Sequence, residues 1–177
     1  MIRPVHPDFL RLLTLKEKPL VDLFIDLREF VLEISPESNE LLYHTHALTS
    51  VFSISEKLGD AFCMLPIYTN HVNLGFNKGT LIHDPGKLLS GTGNLIRHIP
   101  VSEKKDYRNP QVEHLIRCAI DFAVNDMDKP SNTNGKTIFG STTSSPTKTF
   151  TSVGFRLRSS RLRRKCASAA RNRNHRR

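Results

Sequence analysis

Residues 61–76, AFCMLPIYTNHVNLGF, hold two apolar runs joined by YTN at 68–70, and their reading decides the fold. In the second run Val72, Leu74 and Phe76 alternate with His71, Asn73 and Gly75, the period of two expected of a strand with one buried face. The first run is rich in aromatic and branched residues and ends in turn formers, so the pair reads as two strands joined by a tight connection.

Working outward, LLYHT (41–45), TSVFSI (49–54) and LIRHIPV (95–101) have the same character, and LGDA (58–61) and NKG (77–79) supply turns. About five strands are expected between residues 41 and 101, with neighbours antiparallel. On the N-terminal side, Pro19 suits a first helical turn and Pro36 stops further extension, which frames a helix over 19–34. Leu20, Leu23, Phe24, Leu27, Phe30, Val31 and Ile34 fall on one side of it. On the C-terminal side, Asn109 as N-cap and Pro110 at the first position open a second helix over 110–126, with Val112, Leu115, Ile116, Ala119, Ile120 and Ala123 inward. Glu113, Arg117 and Asp121 make a solvated ladder on its outer side. Strands flanked by helices without βαβ alternation predict an α+β domain, an antiparallel sheet packed against an N-terminal and a C-terminal helix.

Composition changes sharply after this domain. Residues 1–127 hold 13 Lys+Arg and 16 Asp+Glu, a net of 13 − 16 = −3, whereas 128–177 hold 13 basic residues and one acid, a net of 13 − 1 = +12. The chain therefore divides into a domain over 1–127, a Ser/Thr-rich linker over 128–155 and an Arg-rich tail over 156–177, the tail expected to be disordered. No apolar run reaches the ~18 residues of a membrane helix, and MIRPVHPDFLRLLTLKEK lacks the apolar stretch of a signal peptide, so a soluble cytoplasmic protein is expected. Cys63, Cys118 and Cys166 form no C-x-x-C, which suggests reduced thiols and neither a disulfide framework nor a zinc ribbon.

The stretch HVNLGFNKGTLIHDPGKLLSGTGNLIRHI, with AFCMLPIY before it, resembles the YdhG-like family, a domain of unknown function. The shared features are GFNKG at Gly75 to Gly79, LIHDP at Leu81 to Pro85, LLSGTG at Leu88 to Gly93, and Arg97 with His98. The resemblance covers roughly 20–127 and says nothing of the tail. It implies a compact α+β sandwich with a frataxin-like outline and an attached role in iron delivery to iron-accepting proteins. No catalytic residues come with it.

Several constellations invite chemistry. Asp22, Asp26, Glu29 and Glu33 recur at four, three and four residues, which confines them to a wedge of about 60° on the first helix. Like charges so spaced repel, and only Arg28 and the lysines before Pro19 are near in sequence to relieve them. The stripe is either the solvated side of the helix or a weak site for a hard cation, iron in the frataxin-type reading. LLSGTGNLIRH is not followed by a helix and lacks G-K-[ST], so its glycines are read as a turn into the last strand and not as a phosphate cradle. Lys78, Asp84, Thr92 and Arg97 would make an anion- or amide-gripping pocket, ligand-binding or enzymatic, around the 77–98 connection if they converged; alternatively Asp84 and Arg97 pair and fix the 77–94 connection. His44 and His46 share a strand face but lack a third ligand, and Cys63 sits in an apolar strand that suggests core.

The tail's Arg161, Arg163, Arg164 and Lys165 head a basic run with no aromatic residue after Phe155 to stack on bases. Nucleic-acid association there would be electrostatic and salt-sensitive; a solubilising appendage and an out-of-frame extension compete with it.

Overall fold

A computed structural model of the chain describes residues 2–44, 46–127 and 131–140. Among these residues three α-helices, α1 (Pro7–Leu13), α2 (Lys18–Ile34) and α3 (Pro110–Asp126), accompany six strands: β1 (Asn39–His44), β2 (Leu48–Ser53), β3 (Ala61–Ile67), β4 (Val72–Phe76), β5 (Arg97–Val101) and β6 (Thr137–Phe139). All six form one sheet in the order β5-β4-β3-β2-β1-β6. The first five pair antiparallel, as the turn chemistry requires, and β6 adds to β1 in parallel. The α+β class holds; the sheet is mixed and has one strand more than expected.

The caps behave as their chemistry dictates. The Asn109 side chain accepts from Val112 N at 3.0 Å and Pro110 occupies the first turn of α3, while Pro19 does the same for α2. Phe24, Leu27, Phe30 and Val31 of α2 and Val112, Leu115, Ile116, Ala119 and Ala123 of α3 pack with Phe52, Phe62, Leu65, Leu74 and Phe76 in the main core. The residues in between on the strands, Leu41, Val51 and Ala61, face the other way and join Tyr43, Met64 and Ile138 in a second, smaller cluster. Among the described residues no helix is long and apolar enough to cross a membrane.

Two elements depart from the sequence reading. Helix α1 lies where no helix was expected, capped by the His6 ring and burying Phe9 and Leu13. Strand β6 falls inside the segment assigned to the linker. Residues 131–140 carry no period of their own, but Asn39 anchors them: its Nδ2 donates to Asn132 O at 2.8 Å, and its Oδ1 accepts from Lys136 N at 3.2 Å and Asn134 N at 3.3 Å. Held beside β1, Thr137–Phe139 pair with Glu40–Leu42, and the Phe139 ring stacks on His6 at 5.4 Å. An existing strand edge thus orders a segment that composition alone would leave unordered. The rest of the linker and the whole basic tail lie outside the described residues, apart from 131–140.

A charged network sits within the fold. Arg28, expected to relieve the acidic stripe, is instead 2% exposed and turned to the sheet. Its Nε and NH2 each donate to the Glu40 carboxylate at 2.7 Å, a bidentate pair, and its NH1 and NH2 also donate to the carbonyls of Arg3 and Pro4. Ser50 Oγ donates to Glu40 at 2.5 Å and Thr137 Oγ1 at 3.3 Å. Burial alone would push the Glu40 carboxyl up, but the Arg28 hydrogen bonds and charge outweigh it and hold it below the usual carboxylate range. One buried pair therefore ties together the N-terminal segment, α2, β1, β2 and β6.

Candidate functional site

The acidic stripe of α2 meets cations that come from far along the chain. Asp26 Oδ1 accepts from Tyr107 Oη at 2.7 Å and from Arg108 Nε at 2.6 Å, and its Oδ2 accepts from Lys104 Nζ. Arg108 NH1 continues to Glu33 at 3.0 Å, and its guanidinium lies 5.3 Å from the centre of the Phe30 ring. Lys18 Nζ pairs with Asp22 at 2.7 Å. Burial would raise the Asp26 carboxyl, but the bonds from Arg108, Lys104 and Tyr107 prevail and hold it at about 2. Burial and the bond to Asp26 push the Tyr107 hydroxyl up; burial opposes the Arg108 guanidinium, but its bonds to Asp26 and Glu33 prevail and push it up. Three of the four stripe carboxylates therefore have a basic partner, Asp26 and Glu33 from the segment 104–108 and Asp22 from Lys18 on the same helix, which relieves part of the repulsion that suggested a cation. Glu29 remains half-buried on the same helix.

Among the described residues no three His, Cys, Asp or Glu side chains gather as metal ligands. His44 ends β1 and His46 lies beyond the strand, both exposed, so the shared strand face expected of them does not form. Cys63 is fully buried and its thiol is pushed well up by that burial, which makes it a core residue.

The 77–98 connection folds back on itself. Ser90 and His98 exchange backbone hydrogen bonds at 2.8 and 2.9 Å, and Gly91 between them has φ 117°, a conformation that favours glycine. LLSGTGNLIRH is thus a turn onto β5. Of the four residues proposed to converge here, Lys78 pairs with Asp126 at 2.6 Å, Thr92 is exposed, and Arg97 donates to the carbonyls of Gly93 and of Ile96, the latter at 2.8 Å. Asp84 binds neither Lys78 nor Arg97 through a hydrogen bond; its carboxylate accepts from Leu88 N at 3.1 Å and Leu89 N at 2.8 Å, closing the turn that follows it.

Beside that turn lies a cavity of about 340 Å³, lined by Asp84, Pro85, Leu88, Gln111, His114 and Leu115 among others. Its walls are mostly apolar, and the polar groups at them are one carboxylate, one carboxamide and one imidazole. Helix α3 places Gln111, His114 and Leu115 on one side of its first turns, since residues three and four apart share a face. Across from them the Asp84-capped turn presents Leu88. The His114 Nε2 also lies 3.5 Å from Cys118 Sγ, one turn further along α3. Sequence reasoning found Asp84 but missed Gln111 and His114. The spacing that makes them neighbours was legible; the fact that they face the 84–88 turn was not.

Comparison of the chain with family models, with curated proteins and with solved structures finds no match.

Proposed function

We propose that this protein is a small binding protein of the YdhG-like type and that it holds a small, mostly apolar molecule in the cavity between the 84–88 turn and α3. The supporting observation is open space of about 340 Å³, within the range of small-molecule sites, beside polar groups fixed by secondary structure. Binding without chemistry fits the lining. Each Asp84 oxygen accepts one backbone amide, and the lining holds His114 but no serine, cysteine or lysine. The YdhG-like assignment rests on the GFNKG, LIHDP and LLSGTG segments. Iron delivery through Asp22, Asp26, Glu29 and Glu33 rested on the acidic stripe together with the frataxin-like resemblance; Lys18, Lys104 and Arg108 reduce the stripe's surplus of negative charge. Nucleic-acid association through Arg161, Arg163, Arg164 and Lys165 concerns residues outside those described.

The test is an amide NMR titration of the full chain with benzyl alcohol as a neutral probe. Saturable shifts at Leu88, His114 and Leu115, with a Kd on the order of 1 mM for so small a molecule, are expected. Gln111→Trp, at an exposed position, fills the space and abolishes them. Shifts that stay linear, or that persist in Gln111→Trp, overturn the reading.

A further inference from the structure

The charge at the cavity narrows its ligand. The anion-gripping pocket read from the sequence needed Lys78 and Arg97, yet neither lines the space: Lys78 is taken by Asp126, and Arg97 by carbonyl oxygens. Lys87, within the same turn, is exposed and is not part of the lining either. Asp84 is the one carboxylate in the lining, which holds no lysine or arginine. Each of its oxygens serves one backbone amide and, being a carboxylate oxygen, has capacity for a second donor. Gln111 adds a carboxamide, whose oxygen accepts and whose NH2 donates, so it suits either charge. The N-terminus of α3 contributes a partial positive charge at the same rim, which by itself favours an anion. Its donors are largely consumed, however: Pro110 has no N–H, Val112 N is bonded to the Asn109 side chain, and Glu113 N to the Asn109 carbonyl. Glu113 also puts a carboxylate in that first turn.

We propose, on the small-ligand reading above, that the cavity selects a cationic ligand, a small amine whose apolar body packs on Pro85, Leu88 and Leu115 while its N–H groups reach Asp84 and Gln111. A protonated amine pairs with the carboxylate through charge-assisted hydrogen bonds and leaves the existing amide contacts in place. An anion in the same space would face Asp84 without a lysine or arginine to receive it.

The experiment compares three probes of one size, benzylamine, benzyl alcohol and benzoate, by the same NMR titration of the full chain near neutral pH. Benzylamine is expected to bind roughly twofold to fivefold more tightly than benzyl alcohol, the gain of one half-exposed ion pair, and benzoate most weakly. Asp84→Asn, which keeps a side-chain acceptor for the turn, lowers benzylamine to the level of the alcohol. Independently of that variant, rising salt weakens benzylamine and leaves the alcohol unchanged. Equal binding of amine and alcohol, or preference for benzoate, overturns the cation assignment while the cavity stands. If none of the three binds at Leu88 and His114, the small-ligand reading falls with it.

Discussion

Asp26 and Asp84 are both aspartates that accept hydrogen bonds from elsewhere in the chain, yet their surroundings differ. Around Asp26 the space is occupied by Lys104, Tyr107 and Arg108, whose side chains each donate to its carboxylate. Beside Asp84 the donors are two backbone amides of its own turn, and about 340 Å³ stays open. The first arrangement fastens the 104–108 segment to α2. The second leaves room and bonding capacity for something else. A run of acids in a sequence becomes a candidate site only after the partners that the fold brings to it are counted, and that count separates these two regions.

If the charges on α2 serve the fold, the cost of removing each follows its burial. Arg28→Ala strands the fully buried Glu40 carboxylate and is expected to cost about 3–5 kcal/mol of unfolding free energy by urea titration. A loss below about 1 kcal/mol would show that the network is not structural. Asp26→Asn comes next, at about 1–2 kcal/mol. Its signature is a pH dependence: a carboxyl held at about 2 in the folded chain, against an ordinary value near 4, stabilises fully above that ordinary value. This contribution fades as pH falls from about 4 towards about 2, and the variant lacks that part of the acid sensitivity. A variant with an unchanged acid profile would remove Asp26 from its role as fastener. Asp22→Asn, on an exposed i,i+4 pair with Lys18, is expected to change stability by less than about 0.5 kcal/mol. None of the three α2 substitutions is expected to alter probe binding at Leu88 by more than about twofold, because the sites share no residue. Coupling between them would blur the distinction between fastener and site.

Much of this fold was legible because its signals are local. The Asn109–Pro110 pair and the apolar period after it set α3 at Pro110–Asp126, and the alternation from His71 to Phe76 set β4. What stayed hidden depends on distance in sequence. Lys104 and Arg108 reach Asp26 across 78 and 82 residues, with no pattern that links them beforehand. Strand β6 exists through Asn39, 93 residues before the Asn132 carbonyl that it holds. Helix α1, with seven residues, is too short to display a period, and histidine is not among the favoured N-caps. Arg28 did leave a signal: it lies four residues after Phe24, on the apolar side of α2, where a charge needs a buried partner. Glu40, two residues before Leu42 on the strand face turned to the core, is that partner. For the cavity, Asp84 was visible as the residue opening a turn, but its opposition to Gln111 and His114 arises only when α3 docks on the sheet.

The most direct test places both regions in one sample: amide NMR of the full chain, titrated first with benzyl alcohol and then anaerobically with Fe²⁺ against a Mg²⁺ control. The expected result is saturable probe shifts at Leu88, His114 and Leu115, with no Fe²⁺ broadening that saturates at Asp22, Asp26, Glu29 and Glu33. Saturable Fe²⁺ broadening at those four residues, with Leu88 and His114 silent to the probe, would contradict it and make the stripe the site.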